Sequence, residues 1–251
     1  MPDIPDPLRH LIVIGLALLL VLLRLDAERF GAAEYDEATR DGHLPSFRRR
    51  MGWYILGVGL VLLIVFIHPA PQRDLFLGSG DRIATLAGGL MYGIVGALQA
   101  IGFAWLRYRH LRLPEVASYP GAVVNALATA FIDEAAYRGA LYGIFLGAGI
   151  NPTTANVMQA LLYALSTRLG APGRDRYMLV LALVIGLAGG WLTSATGGIA
   201  AAFLGHAVTR FSVFLCTGHA GQVALRGREP EDVEKRRRPP DGWRIIGTRG
   251  E

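Results

Sequence analysis

The sequence predicts an all-α fold: a polytopic membrane helical bundle of about seven transmembrane helices. Three observations carry that prediction. Hydrophobic residues make up 52% of the 251 and charged residues only 18%, against roughly 45–50% and about 25% in soluble domains. Apolar runs near the ~20 residues that cross a hydrocarbon core recur along the chain. The basic residues fall mainly in every second loop. This composition excludes a disordered chain, a disulfide scaffold and an ordinary soluble enzyme. The single cysteine, Cys216, has no internal partner and leaves the redox compartment open.

Seven segments qualify as spans or come close: 10–24, 52–69, 83–106, 121–149, 152–168, 177–195 and 198–216. The chain divides into N-terminal helices with a polar loop (1–79), an intramembrane core (80–217) and a basic tail (218–251). The first segment reads as a retained helix. Its leading residues carry Asp3, Asp6 and Arg9 where a signal peptide needs net positive charge, and no small-residue cleavage site follows. The loop 31–50 is polar, with room for a short surface helix. Asn151-Pro152 reads as an N-cap and first-turn proline opening the fifth span. Trp53, Tyr54, Trp105, Tyr108 and Tyr177 lie near span ends, the position of interfacial anchors.

The net charge of +5 is a matter of topology. Arg24, Arg29, Arg40 and Arg48 to Arg50 fall between the first two spans, and Arg107, Arg109 and Arg112 precede the fourth. Arg168, Arg174 and Arg176 follow the fifth, and eight more basic residues lie in the tail. One side thus holds 20 basic residues and the other only Arg9, Arg73 and Arg82. The positive-inside rule makes the rich side cytoplasmic, with the N-terminus outside the cell membrane. Anionic inner-leaflet lipid is the expected partner of this charge, and no nucleic-acid partner is expected. The tail reads as a solvated, charged segment.

A charge at mid-bilayer costs about 2.5–3.5 kcal/mol on insertion scales, so each one demands a reason. Asp133, Glu134, Arg138, His206 and Arg210 all fall inside spans. Glu134 and Arg138 are four apart and share a helix face. Asn125, Thr129, Asp133 and Tyr137 form a second stripe at the same spacing. Asn156, Gln159, Tyr163, Ser166 and Thr167 give the fifth span one polar face, and His206 and Arg210 give the seventh another. The simplest packing turns these faces toward one interior site. Small-residue ladders at Ala135, Gly139, Gly143 and Gly147, at Gly89 and Gly93, and at Gly186 and Gly190 suit close helix association.

These residues resemble a known pattern. Asp133-Glu134-Ala-Ala-Tyr-Arg138 is similar to an EExxxR motif, Tyr163-Ala-Leu-Ser-Thr167 to FxxxH, and His206-Ala-Val-Thr-Arg210 to HxxxN or HxxxD. In this order, over roughly 80–216, the chain resembles the CPBP family of type II CAAX prenyl endopeptidases and their bacterial Abi-type relatives. The resemblance implies an intramembrane endopeptidase of the glutamate type, acting on a lipidated or membrane-embedded peptide. In that family the first Glu and the second-motif His activate a water, and the third-motif residues stabilise the oxyanion.

Carried across, Asp133 stands for the first Glu, Glu134 and Arg138 match, Thr167 replaces the first His, His206 matches and Arg210 replaces Asn. The departures imply impaired catalysis, since Thr167 cannot titrate and Arg210 is a fixed cation. Asp133 or Glu134 is then the expected base, His206 and Arg210 the oxyanion side, and Arg138 the carboxylate's anchor. A catalytic zinc wants three protein ligands and a water, and His206 is the sole histidine inside the spans, the other five sitting at or beyond span ends, so no metal or cofactor is expected. With His206 neutral, Asp133, Glu134, Arg138 and Arg210 sum to zero, which suits a locked polar core. That balance motivates the alternative: a non-catalytic family member, a scaffold or subunit that binds a membrane peptide or membrane protein partner.

Overall fold

The computed structural model describes residues 5–32, 35–36, 44–108, 111, 114, 116–170 and 177–220. The tail beyond 220, residues 33–34 and 37–43 of the polar loop, and the side chains of Tyr108 and Tyr177 lie outside the described residues.

Nearly all of the described residues are helical. Helix α1 runs Asp6–Leu25, α2 Leu44–Ile67, the short α3 Pro71–Asp74 and α4 Arg82–Tyr108. A 3₁₀ turn at Val116–Ser118 leads into α5, Tyr119–Asp133. A π-helical segment, Glu134–Leu141, follows without a break and passes into α6, Tyr142–Gly147. Helices α7 (Pro152–Leu169), α8 (Tyr177–Thr196) and α9 (Ala200–Thr217) complete the bundle. The fourth predicted span is thus one rod from 119 to 147, on the order of 40 Å long. Asn151 caps α7 as expected, its Oδ1 accepting from the Thr154 backbone N–H at 2.9 Å.

Five of these helices, in α1, α2, α4, α8 and α9, are long and apolar enough to cross a membrane by themselves. The 119–147 rod and α7, which carry the polar residues, are not among them. The rest follows from lipid as solvent. Leu11, Leu18 and Leu22 on α1, Ile55 and Leu62 on α2, Ile83 to Leu106 along α4, and Trp191 on α8 lie exposed. Apolar faces of this extent fit hydrocarbon rather than water.

Inside, the π-helical segment is the centre, packed against α1, α7 and α8 as well as its own flanks. All eight of its residues are buried. Helix α4 lies along α9, where Gly89 and Gly93 bring its backbone against Ala201, Leu204 and Val208. Gly186 seats α8 on Ala160 of α7. The ladder on the central rod has another use. Gly139 and Gly143 receive Leu75, Leu77 and the Asp74 carbonyl, so they hold the loop after α3 rather than a second helix. That loop is pinned further by Ile199 N–H donating to the Phe76 carbonyl at 3.0 Å and Asp81 N–H to Thr196 at 2.8 Å.

The ends of the elements sort into two sets. The 75–81 loop meets the α8–α9 turn at one end. At the other, Gly170 after α7 abuts the last carbonyls of α1. There too Tyr35–Asp36 pairs antiparallel with His219–Ala220, joining the α1–α2 loop to the end of α9.

Two expected interfacial anchors turn inward. Trp53 is fully buried, its indole N–H donating to the Leu23 carbonyl at 2.8 Å, and Tyr54 is buried beside Asn125. The reason is the end of α1, whose last carbonyls lack intrahelical partners and are met by the indole. Trp105 remains exposed, as an anchor would be.

Gly205 lets the Tyr92 ring lie on α9, and a Cβ there would overlap that ring. Gly205→Ala is therefore expected to destabilise by about 1–3 kcal/mol, read as a lower thermal midpoint in detergent. Gly15→Ala, whose Cβ meets open space, should leave the midpoint in place. A second expectation concerns pH. His68 follows α2, and burial holds its imidazole below the ordinary value of 6.5. The unfolded chain then binds more protons below that value, so stability should fall as pH drops through about 6.5. His68→Gln should flatten that slope in thermal melts taken from pH 7.5 to 5.

Candidate active site

Three helices bring the predicted residues together. Asp133 ends α5, Glu134 and Arg138 lie on the π-helical segment, Thr167 is near the end of α7, and His206 and Arg210 are on α9. All six are buried, with Glu134 and Arg138 fully so. The π-helical segment is the local reason. Single π turns concentrate at functional sites because a widened turn re-aims side chains. Here it holds Glu134, Tyr137 and Arg138 inward toward three different helices.

Glu134 is the hub. Its Oε1 lies 2.7 Å from His206 Nδ1, within hydrogen-bond reach. Its Oε2 is 3.2 Å from Arg138 Nε, an ion pair. The Arg138 guanidinium also lies 4.0 Å over the Tyr163 ring, a cation–π contact between α7 and the central rod. On the other face of His206, Nε2 is 3.4 Å from the Tyr163 hydroxyl. Gly189 makes room for this cluster, since a Cβ there would stand 3.1 Å from Arg138 Nε.

Asp133 faces elsewhere. Its Oδ1 is 3.4 Å from Nε of Arg24, which is 2% exposed. The charge rule placed Arg24 in the loop after the first span; the structure places it inside the bundle. The physical reason is Asp133 itself, which draws the last turn of α1 onto the central rod. The only sequence signal was position: Arg24 falls in the last turn of an apolar helix, still within reach of the interior. Among the described residues, the charges around this site therefore do not sum to zero as expected: Arg24, Arg138 and Arg210 face Asp133 and Glu134, and Arg50 is buried as well.

Arg210 does not pair with either carboxylate. Its Nη2 donates to Asn125 Oδ1 at 2.9 Å, and Asn125 Nδ2 donates to the Tyr54 hydroxyl at 2.7 Å. The stripe Asn125, Thr129, Asp133, Tyr137 is buried as expected, with Tyr137 hydrogen-bonded to Ser166. The upper part of the α7 stripe serves packing instead: Asn156 and Gln159 donate to the Leu187 and Gly186 carbonyls of α8.

A cavity of about 40 Å³ opens beside His206, room for roughly three waters at 10–15 Å³ each. Arg24, Tyr163, Thr167, His206, Thr209 and Arg210 give it polar walls, and Leu181, Ile185 and Val213 apolar ones. It lies toward the end of the bundle where α1, α7 and α9 finish and α8 begins. Among the described residues, no three His, Cys, Asp or Glu gather as a metal site.

The bundle thus holds a carboxylate–histidine pair in its core beside a small cavity. Residues 115–212 match the family model described as Rce1-like, type II CAAX prenyl endopeptidase. The match contains Asp133, Glu134, Arg138, Thr167, His206 and Arg210; Arg24 lies outside it. The match and the apolar helices together support a membrane protein similar to the CPBP family over that segment. No curated protein and no solved structure gives a significant match.

Removing one partner of a buried ion pair leaves an uncompensated charge, at about 3–5 kcal/mol. Arg24→Ala and Asp133→Ala are each expected to lose that much stability. The double variant should recover most of it, read as a coupling term in a double-mutant cycle on the purified protein.

Proposed function

We propose that this chain is an intramembrane endopeptidase of the type II CAAX kind, and that the Glu134–His206 pair runs its chemistry. The observation that carries the reading is the 2.7 Å contact between Glu134 Oε1 and His206 Nδ1, with Tyr163 and the cavity on the ring's far side.

The division of labour follows from that geometry. A carboxylate bonded to Nδ1 fixes the ring so that this nitrogen carries the proton, which leaves Nε2 as the free base. In the reaction, Nε2 takes a proton from water as its oxygen attacks the peptide carbonyl carbon. Glu134 stabilises the imidazolium that forms. The Tyr163 hydroxyl, 3.4 Å from Nε2, is placed to donate to the developing oxyanion. The proton on Nε2 then passes to the leaving amide nitrogen as the C–N bond breaks. Arg138 keeps Glu134 ionised and in place from behind.

Thr167 stands where the family carries its second-motif histidine, so this route depends on one histidine alone and works below the family's efficiency. The substrate is a membrane-embedded or lipidated peptide, and on the charge distribution its entry is from the cytoplasmic side, with the N-terminus outside. One observation favours a second reading. Asp133, at the family's first glutamate, is engaged by Arg24, and a site locked this way suits a non-catalytic subunit that holds a membrane partner.

Purified protein in detergent, offered a fluorogenic lipidated peptide, separates the two. Glu134→Gln and His206→Asn are each expected to lower turnover by about 10²–10⁴-fold while the thermal melt stays cooperative. Equal turnover in both variants and the parent protein would sink the peptidase reading, and no turnover in any form, with a partner co-purifying, would establish the second.

A further inference from the structure

The end of the bundle opposite the cavity carries a histidine contact that Glu134 and His206 do not use. We infer that His68 is a proton-operated latch: its neutral ring holds the segment 69–81 on the central rod, and protonation of the ring releases that segment.

The direction of one hydrogen bond comes first. The Ala70 backbone N–H lies 3.2 Å from His68 Nδ1. A backbone N–H only donates, so this nitrogen bears no proton and the ring is neutral, with its own proton on Nε2. Protonation would set a second N–H against the first, and the bond is lost. Pro69 and Pro71 flank Ala70 and have no N–H, so Ala70 supplies the one backbone donor between His68 and Gln72.

The surroundings make His68 the residue that responds. It is buried, and His10 of α1 stands edge-on to it with ring centroids 5.6 Å apart. His10 behaves differently, because its Nδ1 donates to the Asp6 carbonyl at 2.8 Å and keeps that bond whether the ring is neutral or charged. Burial holds the His68 imidazole below its ordinary value of 6.5. Among the charges that face it, Asp74 of α3 favours a positive ring, while His10 of α1 and Arg73 of α3 oppose one.

What the bond holds is the clasp on the rod. Ala70 precedes α3, and its carbonyl accepts from the Asp74 N–H at 2.9 Å. The Asp74 carbonyl and Leu75 then press on Gly143, and Leu77 on Gly139. Both glycines belong to the rod that carries Glu134. Two prolines stiffen the path from His68 to α3, so a displacement at Ala70 is passed on rather than absorbed. The sign follows. A neutral ring belongs to the held state and an ordinary imidazole to the released one, so release grows as pH falls below 6.5. On the charge distribution this end faces away from the cytoplasm, which makes the external medium the source of the proton.

Amide hydrogen exchange on the full-length protein in detergent tests the latch, at pH 7.5 and 5.5 and corrected for the intrinsic pH dependence of exchange. Protection across 69–81 is expected to drop severalfold at pH 5.5, up to about tenfold for one proton and an ordinary value of 6.5, while α7 keeps its protection. His68→Gln, whose side-chain oxygen accepts from Ala70 without titrating, should keep 69–81 protected at both pH values. His68→Phe, which fills the space and offers no acceptor, should leave it equally exposed at both. Unchanged protection in the parent protein overturns the latch. So does a drop that persists in His68→Gln, or one that α7 shares equally. Exchange is read on the backbone, so the result stands apart from whether the chain cleaves peptides.

Discussion

The fully buried carboxylate of Glu134 is the constraint on which the rest of this molecule depends. An isolated charge in a low-dielectric interior is expensive, and the expense falls only when partners of opposite sign and good geometry surround it. Glu134 has both, Arg138 on its own turn and His206 across the bundle. To deliver them, the central helix widens into π geometry, α9 presents His206, and α8 closes in behind through Gly189. The small residues of α4, α8 and α9 are thus part of the same requirement: backbones have to approach closely for a short side-chain network to span four helices.

The polar core is divided into two compartments that share a wall. One holds Glu134, Arg138, His206 and the Tyr163 ring, where all three guanidinium nitrogens of Arg138 lack a hydrogen-bond partner. In the other, Arg24 faces Asp133 and Arg210 donates to Asn125. Nitrogens of Arg24, Arg138 and Arg210 and both oxygens of Asp133 are buried without hydrogen bonds, so Coulombic attraction in a low dielectric, more than directed hydrogen bonding, holds these charges together.

The loop after α3 shows how the same packing logic extends past the site. Its left-handed Phe76, with φ 53°, lies in a short segment clasped by Gly139, Gly143 and the α8–α9 turn. It fixes the rod that carries the site at the end opposite the cavity, so the cavity end is left as the approach to His206.

Much of this was legible from residue order. Helical spans, the inward stripe Asn125–Thr129–Asp133–Tyr137, the polar face of α7 and the pairing of Glu134 with Arg138 all follow from periodicity, because a helix places residues three and four apart on one face whatever surrounds it. The resemblance of three spaced motifs was read over roughly 80–216, and the family model matches 115–212 within it. Pairings across helices were not legible, since nothing in spacing says which turn of α1 meets which turn of the central rod. So Arg24, counted by charge as a loop residue, became a core cation; Trp53 and Tyr54, placed by composition at the interface, became buried; and Arg210, expected opposite the carboxylates, went to Asn125. What the sequence by itself determined is the bundle, its polar faces and the residues that gather in its interior, because hydropathy and helical period are local properties. What only the tertiary structure decided is which charge pairs with which. Coulombic pairing in a low dielectric depends on separations between helices, set by how their small residues let them pack.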